Sequence, residues 1–168
     1  MQYNLGGLQM VIEFKNLNTS NVTSMSYMFY NCSNLQTLYL SNFDTSRISN
    51  MGYMFYWCSR LKTLDLSNFD TSKATNMECM FCNCSDLQTL DLSNFNTSNV
   101  NNMDYMFCKC TNLQTLDISG FELPFATAMF DMFVGCTSLK TIKLPKDKKS
   151  RERLLNPLEG DKIHCEIV

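Results

Sequence analysis

Apolar residues recur along this chain in columns one 26-residue step apart. Leu35, Leu61, Leu87, Leu113 and Leu139 form one column, and Met25, Met51, Met77, Met103 and Met129 another. Phe29, Phe55, Phe81, Phe107 and Phe133 keep the same step, as do Cys32, Cys58, Cys84, Cys110 and Cys136. Between the columns the polar phrase S-N-F-D-T-S starts at Ser41 and again at Ser67. It returns as S-N-F-N-T-S at Ser93 and, more weakly, as K-N-L-N-T-S at Lys15. A fixed period of this length marks a stack of supersecondary units.

Each period contains two kinds of pattern. Met51, Met54, Phe55 and Cys58 are spaced i, i+3, i+4, i+7, which predicts one face of a short helix. Asn50 precedes that face as a candidate N-cap, and Ser24, Asn76 and Asn102 hold the same place in other units. Leu61 follows, and then Leu64 and Leu66 alternate as in a half-buried strand. Phe69 turns inward before the polar turn Asp70-Thr71-Ser72. Ile48, with Val22, Ala74, Val100 and Ala126, brings the chain back to the core. One such unit cannot bury its own apolar face, but stacked units can. The expected fold is therefore an α/β repeat solenoid of leucine-rich-repeat type, with about five 26-residue units. Each unit is a short strand, a polar loop and a short helix, with a parallel sheet on one face.

The array is expected to span residues 1–144, and its first unit is incomplete. Tyr3 stands where the Phe column predicts Phe, but Gln2 and Gly6 replace the expected Met and Cys. The last unit is degenerate: Gly120-Phe121-Glu122-Leu123-Pro124 replaces the loop phrase. Residues 145–168 read as a charged C-terminal cap or tail, in which Leu154, Leu155 and Leu158 are expected to fold over the open end.

Composition sharpens this picture. Charged residues make up 18% of the chain, against about 25% in a typical soluble domain. The surface is therefore mostly Asn, Ser, Thr and Gln. The net charge of −2 gives no reason to expect nucleic-acid binding. Residues 1–139 carry 6 basic and 11 acidic side chains, whereas 140–168 carry 8 and 5. The run from Lys146 to Arg153 reads as a solvated cap, because Asp147 and Glu152 dilute any basic patch. No apolar run reaches the roughly 18 residues of a membrane span. No export signal or anchor is visible in these residues.

Candidate chemistry is sparse. His164 is the single histidine, so neither a catalytic triad nor a histidine-based metal site can be assembled. Gly6-Gly7 is an isolated pair that reads as a turn, not a phosphate loop. The expectation is a non-enzyme with no cofactor and no bound metal. Cys79, Cys82 and Cys84 make C-x-x-C-x-C, and Cys108 and Cys110 make C-x-C. A zinc reading would draw four thiolates from this set. The competing reading places Cys84 and Cys110 in the core column as small buried apolar side chains. Cys82 and Cys108 occupy equivalent places in neighbouring coils, and a disulfide between them is the remaining alternative. Cys165, in the tail, reads as a free thiol.

The repeat N-M-x-Y-M-F-x-x-C-S-x-L-x-T-L-x-L-S-N-F-D-T-S resembles the BspA-like leucine-rich repeats, and more narrowly the mycoplasma-type repeat domain of unknown function. The resemblance runs from about Ile12 to Leu144. It implies a repeat surface protein used for adhesion or partner contact, at the cell surface or secreted.

The outward positions of the strands are the candidate ligand surface. One column is Tyr39, Asp65, Asp91, Asp117 and Lys143. The column two residues earlier is Thr37, Thr63, Thr89, Thr115 and Thr141. Stacked aspartates repel, by roughly 1 kcal/mol per adjacent pair in water, which a cationic partner surface or a bound cation would relieve. Three functions compete. The leading one is a module for protein–protein or surface adhesion contacts with an unidentified protein partner. The second is a structural spacer or a piece of a longer repeat protein, with end-to-end self-association. The third, remote, is binding of a regular lattice such as ice or a polysaccharide through the Thr rows.

Overall fold

The computed structural model describes residues 10–14, 17–124 and 127–168. Gln2, Tyr3, Gly6, Gly7, Lys15 and Ala126, all invoked above, lie outside those residues. The chain winds as a parallel β-solenoid. Its rungs are β1 (Met10–Glu13), β2 (Leu35–Tyr39), β3 (Thr63–Leu64), β4 (Thr89–Asp91), β5 (Thr115–Asp117) and β6 (Thr141–Lys143). They form two parallel sheets, β1-β2-β3 and β4-β5-β6. Register follows the repeat, so Thr37 faces Thr63, Thr89 faces Thr115, and Asp91 faces Asp117.

The solenoid and its parallel sheet agree with the sequence pattern, but the short helix in each unit does not form. Where it was expected, the chain makes successive tight turns. Met54 N–H donates to the Met51 carbonyl and Cys58 N–H to the Phe55 carbonyl. Tyr56 N–H likewise donates to the Tyr53 carbonyl, and the alternate donors leave the coil. Met51, Tyr53, Phe55 and Trp57 donate to Asn76, Glu78, Met80 and Cys82 of the next coil, at 2.8–2.9 Å. Tyr53 and Trp57 adopt left-handed φ of 60°, the conformation that a turn of this kind requires at its third residue. Tyr27, Asn31, Cys79, Asn83, Tyr105 and Lys109 repeat the pair in other coils. A helix would satisfy these groups within its own turn. Here the neighbouring coil satisfies them, so the segment is a β-like edge stitched along the solenoid axis.

Asn50, Asn76 and Asn102 consequently cap turns instead of helices. Each Oδ1 accepts the N–H two residues on, at 2.9 Å. Their backbones bridge in an unbroken parallel series from Ser24 to Ala128.

The core lies between the sheet and the turn edge. The Phe column stacks face to face from Phe29 to Phe133, with centroids 5.5–5.8 Å apart and planes within 10°. Cys58, Cys84, Cys110 and Cys136 lie buried beside it. Each thiol donates to the carbonyl of the Phe 29 residues earlier, at 3.0–3.2 Å. Burial pushes the Cys58 and Cys136 thiols up to about 12.

The loop edge is held by side chains. Thr71 stands in the expected polar turn, yet it is fully buried, as are Thr45 and Thr97 at the same step. Thr71 Oγ1 donates to the Asn96 carbonyl at 2.9 Å and accepts the Asn96 N–H at 2.8 Å. Thr19, Thr45 and Thr97 make the same double bond to the following coil. Asn68 Nδ2 donates to the Leu40 and Phe43 carbonyls, and Asn94 repeats this on Leu66 and Phe69. In the last coil Gly120 replaces that Asn because there is no room: a Cβ there would lie 2.1 Å from the Ser93 carbonyl oxygen.

After Leu144 the chain forms the one α-helix among the described residues, α1 (Lys148–Gly160), whose N-cap Asp147 accepts the Ser150 N–H. Leu154 and Leu158 are buried in the solenoid core and Leu155 packs at its margin. Arg153 clamps the helix down by donating to the Leu123, Pro124 and Thr127 carbonyls. The tail then adds β7 (Glu166–Ile167) parallel to β6.

Candidate contact surface

The strand face presents its two columns in register. Thr63, Thr89 and Thr115 are exposed, and Thr37 and Thr141 are half-buried. In the second column Tyr39 is 55% exposed, Asp65, Asp91 and Lys143 are exposed, and Asp117 is half-buried. The leucines between them face inward, as alternation requires. Thr89, Asp91, Thr115, Asp117, Thr141, Lys143 and the terminal Val168 line a shallow groove of about 270 Å³.

The carboxylates do not form the free, repelling array expected from their stacking. Each turns back to close the end of its own strand. Asp65, Asp91 and Asp117 each accept an N–H through Oδ1, from Ser67, Ser93 and Ser119, at 2.9–3.0 Å. Asp117 Oδ2 pairs with the Lys143 ammonium at 2.9 Å. The backbone N–H and hydroxyl of Ser67 hold Asp65 below the usual carboxylate range. Burial works to raise Asp117, but the bonds from Ser119 and Lys143 outweigh it and lower the net value. The hydrogen bond to Asp117 in turn raises Lys143. The face therefore grades from aromatic Tyr39, through acidic Asp65 and Asp91, to the neutral Asp117–Lys143 pair.

A second surface, which sequence reasoning missed, lies on the turn edge. Tyr27, Tyr30 and Trp57 are 55%, 46% and 48% exposed. Tyr27 stacks on Tyr53 and Tyr30 on Tyr56, with centroids 4.8 and 5.1 Å apart. The Tyr53 hydroxyl donates to Glu78 Oε1 at 2.5 Å, which raises the phenol further above its ordinary value. These tyrosines repeat at the 26-residue step, which was the available signal. Once the segment was read as helix, only its inward face drew notice.

In later coils the same columns change to cysteine. Cys79, Cys82 and Cys108 form a small cluster outside the main core, packed with Tyr53, Tyr56, Tyr105 and Val134. Cys84 and Cys110 point the opposite way, into the core. The structure therefore splits the five cysteines of the zinc reading between two sides of one turn, and four thiolates of that set do not converge. All nine cysteines are unpaired, including Cys82 and Cys108. Among the described residues no cluster of three His, Cys, Asp or Glu is arranged to hold a metal ion. His164 is exposed in the tail. No helix among the described residues is long and apolar enough to cross a membrane.

Fold and surface together define a repeat solenoid with two decorated edges. The model of a Mycoplasma protein family of unknown function, DUF285, matches residues 3–90 and 63–150. The chain belongs to that family. No curated protein and no solved structure matches it.

Proposed function

We propose that this chain is a non-catalytic repeat module that makes protein–protein or surface adhesion contacts through its outward strand face. One observation carries the reading. Two parallel sheets along one face display Tyr39 and Asp91, with Asp65 just past β3 between them, beside an ordered row of threonines. Such an array meets a partner with little conformational entropy left to lose. Its acidic stretch favours a partner surface rich in Lys or Arg. The resemblance to BspA-like surface proteins points the same way. The test is attachment of the purified chain to cultured epithelial cells. A variant with Asp65→Lys and Asp91→Lys should lose at least about tenfold in binding, a loss of about 1.4 kcal/mol. A variant with Tyr27→Ser and Trp57→Ser should bind as the parent does. The reverse result would move the contact to the turn edge, and equal binding by all three would defeat the strand-face reading.

A second reading, a spacer that stacks end to end, is favoured by β1. Among the described residues this strand ends its sheet, and Met10 and Val11 are 43% and 49% exposed on it. Unpaired apolar edge strands recruit further strands. Light scattering over a concentration series separates the two: growth in mass favours the spacer, and a constant monomer mass leaves the strand face as the contact.

A further inference from the structure

The three edge cysteines differ from the core column in place and in partners. Of the core column, Cys58, Cys84, Cys110 and Cys136 are buried beside the Phe stack and each donates to a backbone carbonyl. Cys79, Cys82 and Cys108 instead lie on the outer side of the turn, still 6%, 4% and 7% exposed. We propose that Cys79 and Cys82 are a redox-active dithiol, a modification site that closes to an intramolecular disulfide by exchange with low-molecular-weight disulfides.

A single tight turn brings this pair together. Cys82 N–H donates to the Cys79 carbonyl at 3.1 Å, so the two residues are first and fourth in one tight turn. Such a turn holds its end Cα atoms within about 7 Å, close to the span of a disulfide, which is about 4.4–6.8 Å. Met80 and Phe81, the middle residues, both enter the core, so the flanking side chains leave on the same outer side. The equivalent pairs in other coils leave on that same side: Tyr27 touches Tyr30, and Tyr53 touches Tyr56, each with centroids 5.6 Å apart. Cys108 also lies within hydrogen-bonding reach of Cys82 and is its competitor. It belongs to the neighbouring coil, held at the inter-coil spacing by the Asn83 N–H that donates to the Cys108 carbonyl at 2.8 Å, whereas Cys79 and Cys82 close within one turn.

The electrostatics fit an ordered reaction. Hydrogen bonding from Cys82, its largest influence, lowers Cys79 below the ordinary thiol value against the opposing effect of burial. The same bond keeps Cys82 protonated, and burial raises Cys108. The Cys79 thiolate attacks a small disulfide R–S–S–R, forming Cys79–S–S–R and releasing one R–S⁻, which takes up a proton. Cys82 then gives up its proton and attacks the Cys79 sulfur, and the second R–S⁻ leaves. Two protein thiols are oxidised, and one small disulfide is reduced to two thiols.

The test uses the full chain, reduced and then equilibrated with oxidised glutathione, followed by alkylation and peptide mass mapping. The expected result is loss of two of the nine thiols, with Cys79 and Cys82 linked to each other. Cys82→Ser should trap glutathione on Cys79, and Cys108→Ser should leave the bond intact. A Cys82–Cys108 link would overturn the proposal. So would nine free thiols in the folded chain under an excess of oxidant that oxidises the urea-unfolded chain. The parent map decides the question even if a variant does not fold.

Discussion

The loop edge and the turn edge repeat with the same period, yet they are held together by opposite means. Along the loop edge, side chains carry the bonds between coils. Thr71 reaches Asn96, and Asn94 reaches back to Leu66 and Phe69. Along the turn edge, backbone carries them, as Tyr53 to Glu78 and Phe55 to Met80 show. A backbone bond does not depend on the side chain, whereas a side-chain bond fixes the residue. This explains why the loop phrase is copied nearly unchanged from Ser41 to Ser98. Over the same coils, outward turn positions change from Tyr to Cys. Variation, and with it any specialised chemistry, is cheap on one edge and costly on the other.

Extremes of pH should break the comparison most strongly. On the inner side of the turn edge, burial raises four thiols: Cys58 and Cys136 to about 12, and Cys84 and Cys110 well above their ordinary value. A raised folded value means that stability is full below the unfolded value near 9 and is lost as pH climbs toward 12. Thermal melting followed by circular dichroism should therefore fall steeply between pH 9 and 12, and serine at Cys84 should blunt the fall. At the loop edge the sign reverses. Hydrogen bonds from Ser46 and Ser72 lower Asp44 and Asp70. Their contribution is present above the ordinary carboxylate range and declines as pH falls below it. The acid loss should be smaller, because both groups are solvent-exposed.

Substitutions sharpen the contrast. Gly120→Ala should be the most damaging single change at the loop edge. Its Cβ meets backbone, not a flexible side chain, and overpacking of this kind costs about 3 kcal/mol or more. Thr71→Val should cost about 1 kcal/mol or more in urea unfolding, since it leaves the part-buried N–H and carbonyl of Asn96 without their Thr71 partner. Thr71→Ser should recover most of that loss. Trp57→Ser, outward on the turn edge, should change stability by less than about 0.5 kcal/mol. A Trp57→Ser loss as large as that of Thr71→Val would show that the edges do not divide their labour in this way.

The core columns were legible in the sequence because stacking copies each inward position at one fixed step. The strand leucines, the Phe stack and the buried cysteines follow from that alone. The turn edge was misread because Met51, Met54, Phe55 and Cys58 face inward whether the backbone is a helix or two tight turns. The i, i+3, i+4, i+7 spacing cannot separate the two. Only the left-handed positions do, and Asn31 and Asn83 hint at them, while Tyr53 and Trp57 do not. The polar turn around Thr71 was legible too, but not the burial of its hydroxyl, which follows from two bonds to the next coil that no spacing displays. The Asp column was visible as a column. Its carboxylates, however, are spent partly on their own strand ends, which no spacing reveals.

The inter-coil bonds of the turn edge run along the solenoid axis, while the chain itself runs across it. A pull on the two ends of the array would therefore meet these bonds a few at a time, in the geometry of a zipper being opened. Coils should peel away singly at low force, each releasing 26 residues, or about 90 Å of chain. Mechanically the molecule is a spool, able to lengthen in even steps while the coils still wound keep their shape.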